Sequence, residues 1–215
     1  MTELDPDQLQ MPFVVGGGTA REQMETIRIH GLSPALLSSA TTGGSDNWWT
    51  PPEAMDLMQE WYGAFDLDTC AANGESSRCD LYIPPEVDSL AADWREMAEM
   101  AAPNCYNNPP YSKVKAFILK GYEQSLLGCR VTFLINAATG TSIWHSHIFK
   151  FAAEIWFGEG RFSFIAGEDI RNREGQITVR KGERGAPVKD NAVVHFDRRH
   201  VGPPKIRTFK VPKPR

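Results

Sequence analysis

Short apolar runs bounded by turn residues alternate along the chain with stretches of helical spacing. Arg130-Val131-Thr132-Phe133-Leu134-Ile135 is the cleanest apolar run and reads as a strand buried on both faces. Phe65–Thr69, Cys79–Ile83, Asn104–Asn107, Glu154–Phe157 and Ala192–Phe196 read as shorter strands, and Arg161–Ile165 alternates as a strand should. Between them lie helical patterns. Met55, Met58, Trp61 and Tyr62 recur with helical spacing after Thr50-Pro51-Pro52-Glu53, which has the form of a capping box with Thr50 as N-cap and Pro51 in the first turn. A second helix is expected from Asp88 through Trp94, Met97 and Met100. A third runs from Lys113 to Leu126, with Val114, Phe117, Ile118, Gly121, Tyr122 and Leu126 on its buried side and Gly128 ending it. A fourth passes through Trp144 and Ile148. Strands alternating with helices point to an α/β fold with a mostly parallel sheet. Only 40 positions separate Asp68 from Asn108, room for two short crossovers, so the sheet is expected to be abbreviated there.

The flanks differ from this middle. In residues 1–45 a glycine run (Gly16-Gly17-Gly18), a short helical stretch (Arg21–Ile29) and a small polar segment (Ser38–Ser45) predict a flexible N-terminal extension, with the ordered domain spanning 46–197. Residues 198–215 hold seven cations (Arg198, Arg199, Lys205, Arg207, Lys210, Lys213 and Arg215), one His and no acid after Asp197, with four prolines that favour an extended chain. This basic, proline-rich tail is a candidate for phosphate contact, or a solubilising tail.

Composition narrows the classes. The chain has 215 residues, is 41% hydrophobic and carries a formal net charge of −4, which suits one globular domain and not a protein that coats nucleic acid by bulk charge. Cys70, Cys79, Cys105 and Cys129 form no Cys-x-x-Cys pair, and His145 and His147 sit on different faces of a helix, so no metal site is expected. No apolar stretch approaches membrane-spanning length, and a soluble cytoplasmic protein is the expectation.

The candidate chemistry is at Asn108-Pro109-Pro110-Tyr111, between the strand Asn104–Asn107 and the third helix. A loop at the carboxyl end of a strand is where α/β proteins place ligand chemistry. A planar exocyclic amine is a weak nucleophile because its lone pair is delocalised. It becomes electron-rich when its N–H groups meet acceptors. The Asn108 side-chain oxygen and the Pro109 carbonyl are two such acceptors, the prolines stiffen the loop, and Tyr111 offers a stacking face.

Three ordered stretches, Asp46-Asn47-Trp48-Trp49-Thr50-Pro51-Pro52, then Leu67-Asp68-Thr69-Cys70-Ala71-Ala72, then Asn108-Pro109-Pro110-Tyr111-Ser112, resemble the phage-type DNA N6-adenine methyltransferases (Dam-like) over residues 45–197. The resemblance implies a Rossmann-like, S-adenosylmethionine-dependent methyltransferase with an abbreviated, mostly parallel sheet, helices on both faces and a C-terminal β-hairpin. It implies methylation of the adenine N6 amino group in duplex DNA with the base flipped out, in a bacterial or phage-infected cytoplasm. Catalysis falls to Asn108, Pro109, Pro110 and Tyr111, and cofactor binding to Trp48, Trp49, Thr50, Pro51, Asp68, Ala71 and Asp88. On physics alone Asp68 is equally a strand-end cap and Asp88 a helix cap. Two features depart from the family pattern: no Gly-x-Gly follows Asp68, and Asn136-Ala137-Ala138 replaces a loop with proline and a charged residue. RNA or a protein glutamine fits the same chemistry, and a non-catalytic DNA-binding protein fits the departures. The polar stretch Ala166–Lys189 reads as a hairpin, either solvated or in contact with DNA.

Overall fold

A computed structural model describes residues 46–185 and 189–214. The expected features of residues 1–45 and the Ala186-Pro187 turn lie outside the described residues.

The main sheet has seven strands among the described residues. In chain order these are β2 (Leu67–Asp68), β3 (Leu81–Tyr82), β4 (Asn104–Asn107), β5 (Arg130–Asn136), β6 (Glu154–Glu159), β11 (Asn191–Phe196) and β12 (Lys205–Lys210). Across the sheet they stand in the order β12-β6-β11-β5-β4-β2-β3. All neighbours are parallel except β11, which runs against both β5 and β6. The interval from Asp68 to Asn108 holds two connections. One goes out to the edge strand β3, and one returns to β4 through α2 (Trp94–Met97), a single helical turn. A second, three-stranded sheet joins β7 (Phe164–Ala166) antiparallel to β1 (Trp48–Trp49) and to β10 (Arg184–Gly185). A separate hairpin pairs β8 (Ile170–Arg171) with β9 (Ile177–Val179).

The pleat sends alternate residues of β5 to two cores. Val131, Phe133 and Ile135 face a cluster with Phe117 and Ile118 of α3 (Val114–Leu127), Trp94 and Trp144. Leu134 faces the other, with Ala54, Met55 and Met58 of α1 (Pro52–Tyr62), Phe162, Phe164 and Val193. Helices therefore cover both faces. On the first face α3 comes unusually close to β5: a Cβ on Gly121 would stand 2.3 Å from the Phe133 ring, so this position needs glycine. The fourth helical segment winds wide over Trp144–Ile148 before α4 (Phe149–Phe151).

Several expectations change. The capping box does not form. Pro51 occupies the N-cap position of α1 and makes no side-chain cap. The Thr50 hydroxyl is spent on the buried Tyr106 hydroxyl, 2.6 Å away, and Glu53, 3% exposed, binds Arg184 through both oxygens at 2.6 and 3.2 Å. Tertiary partners thus outcompete the local cap. The second helix begins at Asp93, whose carboxylate accepts from the Arg95 N–H, and it ends before Met100. Arg161–Ile165 starts late as a strand, at Phe164, because the Phe162 N–H is taken by the Asn191 side chain. The tail is not an appendage over Lys205–Lys210: these residues form β12, parallel to β6, with Phe209 buried in the second core. β12 is therefore an edge of the main sheet, and the hairpin expected within Ala166–Lys189 forms at Ile170–Val179.

Candidate active site

The carboxyl ends of the parallel strands β2, β3 and β4 open onto one cavity of about 850 Å³. Its walls come from five segments: Asp46–Thr50, the chain after β2 (Asp68, Cys70, Ala71, Ala72 and Ser76), the loop after β3 (Ile83–Leu90), the loop after β4 with the start of α3 (Asn108, Pro110, Lys113 and Phe117), and Glu168 after β7.

Side-chain hydrogen bonds position these short strands. The Asn107 amide donates to the Thr69 hydroxyl, which donates to the Tyr106 carbonyl. Ser89 donates to the Thr69 carbonyl, and the Trp94 indole N–H donates back to the Ser89 carbonyl, which ties the loop after β3 to the turn after β2. All these groups are buried, and each bond left unmade there would cost about 1–3 kcal/mol.

Asn108 stands at the mouth of β4. Its Nδ2 donates to the Trp48 carbonyl at 2.8 Å, which leaves Oδ1 as the acceptor end of the amide. Its own carbonyl accepts from the Cys70 thiol at 3.2 Å, and burial holds that thiol in its protonated, donating form. The Asp46 carboxylate accepts from the Ser112 hydroxyl and N–H, and the Pro110 carbonyl accepts from the Lys113 N–H. The loop is therefore clamped at both ends before any ligand arrives.

Asp68 is 4% exposed and its Oδ1 accepts from the Cys70 N–H at 3.2 Å. Burial pushes its carboxyl up to about 7, only partly offset by the Cys70 and Arg78 N–H groups. It caps the turn and lines the cavity at once, so the two roles open for it in the sequence do not exclude each other. Asp88 caps a turn, accepting from the Leu90 N–H, and also faces the cavity.

Of the residues singled out from sequence, Trp48, Trp49, Thr50, Asp68, Ala71, Asp88, Asn108 and Pro110 share this cavity; Pro51, Pro109 and Tyr111 do not line it. Tyr111 is half-buried, and burial with the nearby Asp46 pushes its phenol up to about 12. Sequence reasoning missed Cys70, Lys113, Phe117, Glu168 and most of the Pro84–Leu90 wall. Only Pro84-Pro85, closing a strand as Pro109-Pro110 does, hinted at the last. Asn136 ends β5 with its Oδ1 buried and without a partner, and it does not line the cavity.

The lining holds five carboxyl groups (Asp46, Asp68, Glu86, Asp88 and Glu168) against one cation, Lys113. Such a cavity favours a ligand with positive charge and hydroxyl or amino donors, and Ile83, Val87 and Phe117 add apolar surface for a planar group. No group of three or more metal-ligating side chains occurs among the described residues. No helix among them is long and apolar enough to cross a membrane.

The arrangement is that of an α/β protein with its ligand cavity at the carboxyl ends of parallel strands. Comparison with known proteins gives the particular family. Residues 38–182 match the sequence model described as DNA N-6-adenine-methyltransferase (Dam), and the chain belongs to this family. It is 29% identical over 137 residues to the DNA N-6-adenine-methyltransferase of Haemophilus phage HP1 (strain HP1c1), covering 62% of this chain and 75% of that protein. It is 30% identical over 147 residues to the protein of the same name from Escherichia phage T1, covering 68% of this chain and 58% of that protein.

Proposed function

We infer that the chain transfers a methyl group from S-adenosylmethionine to the N6 amino group of adenine in DNA. The observation that carries this reading is the orientation of Asn108: its amide nitrogen is fixed on Trp48, and its oxygen is left to accept at the edge of an acidic cavity. Family membership supports the substrate and reaction class. The strand order, with one antiparallel strand between β5 and β6, supports reading the sheet as Rossmann-like.

The lining fits the donor. Five carboxyl groups suit a cationic ligand with an ammonium group and ribose hydroxyls, and Asp68 and Asp88 are the acceptors assigned to them. Trp48, Trp49, Thr50 and Ala71 form the adjoining walls, and Pro51 follows them as the N-cap residue of α1. Bound S-adenosylmethionine supplies an electrophilic methyl on a sulfonium centre. The protein's part is to hold the target amine. The Asn108 oxygen and the Pro109 carbonyl accept its two N–H groups, which localises the nitrogen lone pair for attack on the methyl carbon. The donor would supply the methyl and leave as a neutral thioether, while the amine held by Asn108 and Pro109 would give up its surplus proton to water. Pro110 stiffens the loop and Tyr111 stacks on the base. The base must leave the duplex to reach this loop.

The test is transfer of labelled methyl to unmethylated duplex DNA, with RNA and protein acceptors in parallel and nucleoside analysis of the product. Asn108→Ala is expected to lower the turnover rate by about 10²–10³-fold or more, the scale for loss of one preorganised polar group, with donor affinity nearly unchanged. Full activity in that variant would end the assignment. Label in RNA or protein alone would move the substrate, and donor binding without transfer to any acceptor would favour a DNA-binding protein that keeps the fold.

A further inference from the structure

The carboxyl edge of the main sheet is divided by charge. The cavity is walled by acids, and a polyanion is repelled there. Beyond it, around β4 and β5, the sequence reverses sign. Between Glu99 and Glu154 there are five lysines and arginines, and Glu123 is the one acid. Two of these cations are used elsewhere. Buried Lys120 pairs with Glu123 at 3.9 Å, and Arg130, at the amino end of β5, donates to the Tyr62 carbonyl. Lys113, Lys115 and Lys150 are exposed, and no acid among the described residues forms an ion pair with them. Asp46, which reaches the start of α3, is held by the Ser112 hydroxyl and N–H.

The remaining cations share one rim. β4 and β5 are parallel neighbours, so the chain leaves both at the same edge of the sheet. From β4 it passes through Tyr111–Lys113 into α3. From β5 it passes through the exposed loop 139–142 into the wide-wound segment Trp144–Ile148. The two helical runs pack together: the Tyr122 ring meets the His147 ring edge-on at 6.1 Å and stacks on Phe151 at 4.7 Å. Lys115 lies two turns before Tyr122 on the same side of α3. Burial, with the charges of Lys150 and Lys115, pushes the His147 imidazole down, so two lysines from different elements act on one spot.

We propose that this rim, with Lys115 and Lys150 as its charged contacts, holds phosphates of the DNA strand that carries the target adenine. The proposal rests on the methylation reading above. The Asn108 loop joins the acidic cavity to the rim: Lys113 lines the cavity, and Lys115 follows two positions on. A base that enters this loop leaves its own backbone on the cationic side. Such phosphate contacts fix the register of a duplex and carry no sequence information. They let a chain of net charge −4 hold DNA, because the attraction is local.

The experiment measures affinity for an adenine-containing duplex as a function of salt. It compares wild type, the rim pair Lys115→Gln with Lys150→Gln, and an equal charge change on β12, Lys205→Gln with Lys210→Gln. In the rim pair the slope of log affinity against log salt is expected to become shallower by about two, with affinity about ten-fold or more weaker at roughly 0.1 M salt. Donor binding and turnover at saturating DNA are expected to stay at wild-type values, because neither lysine lines the cavity. The β12 pair is expected to keep the wild-type slope. An unchanged slope in the rim pair, or an equal change in both pairs, would overturn the proposal. Wild type that methylates RNA or protein and no duplex would instead bring down the DNA reading on which it stands.

Discussion

The two halves of the main sheet are built differently. β11, β6 and β12 each run six residues, and β5 beside them runs seven. They are held by apolar and aromatic packing: Phe196 against Phe133 and Tyr122, Trp61 stacked on Trp156 at 4.0 Å, and Tyr62 stacked on His195 at 4.1 Å. Even the polar pair in this half is sealed in. His195 shares a hydrogen bond with its cross-strand neighbour Thr132, and burial pushes its imidazole down to about 4, so it stays neutral. β2 and β3 have two residues each and β4 has four. That half is held by buried Asn104, Asn107, Thr69 and Ser89 side chains bonded to backbone and to one another. Short strands leave the chain free to form loops, and the loops form the cavity. The long-stranded half supplies rigidity and the short-stranded half supplies acceptors.

Truncation in the two halves sharpens this contrast. Phe196→Ala removes a fully buried ring from the long-stranded half and is expected to cost about 3–5 kcal/mol. Asn104→Ala is expected to cost about 1–3 kcal/mol, since the Asn104 amide donates to the Ala64 and Tyr62 carbonyls and its loss strands those acceptors. Denaturant titration of both variants checks the order. An Asn104→Ala loss as large as that of Phe196→Ala would mean that the short half is no more loosely held than the other.

The same difference decides what was legible in the sequence. β5 and β11 were visible because a strand buried on both faces writes a continuous apolar run. β2 and β3 were located but overextended, since Phe65–Thr69 and Cys79–Ile83 look like strands while the strands proper are Leu67–Asp68 and Leu81–Tyr82. The Asn108 loop was legible because prolines and a strand end mark it locally. The bond from Asn108 to Trp48 was not, because it joins residues 60 positions apart. Nor was the fate of Thr50 and Glu53, whose local capping signal lost to Tyr106 and Arg184. β12 was hidden by composition: Lys205-Ile206-Arg207-Thr208-Phe209-Lys210 alternates as an edge strand should, but its charges and flanking prolines read as a tail.

Asp68 gives a smaller test of the polar half. Its carboxyl is held near 7 by burial, well above the free value of 3.8, so the folded protein keeps a proton that the unfolded chain has already released between those values. Stability of the ligand-free protein from this group therefore falls as pH rises from about 4 to 7. A cationic donor in the cavity favours the ionised form, so the sign for binding is opposite. Affinity for S-adenosylmethionine is expected to rise about ten-fold between pH 6 and pH 8, with proton release on binding at the lower pH. Calorimetry in buffers of different ionisation enthalpy reads both quantities, and Asp68→Asn is expected to flatten them. A wild-type affinity that does not change with pH would remove Asp68 from the donor's surroundings.

The smallest effect is expected at the outer edge of the long half, at Arg207. Its guanidinium lies 5.2 Å from the Trp156 ring centroid and 3.8 Å from a Glu154 oxygen, with its side chain 47% exposed. Water screens a pair this open, and Glu154 keeps the Trp156 indole N–H at 3.1 Å and Lys205 at 3.9 Å when the arginine is gone. Arg207→Ala is expected to cost at most about 1 kcal/mol of stability. Its strand lies four positions across the sheet from β4, about 19 Å from the Asn108 loop at the usual strand spacing. Methyl transfer and the salt dependence of DNA binding are therefore expected to stay at wild-type values, the cations of β12 serving to keep another strand from adding to the sheet edge. A shallower salt slope in Arg207→Ala would show instead that the duplex reaches this edge, and the division of the sheet into a rigid half and a working half would have to be redrawn.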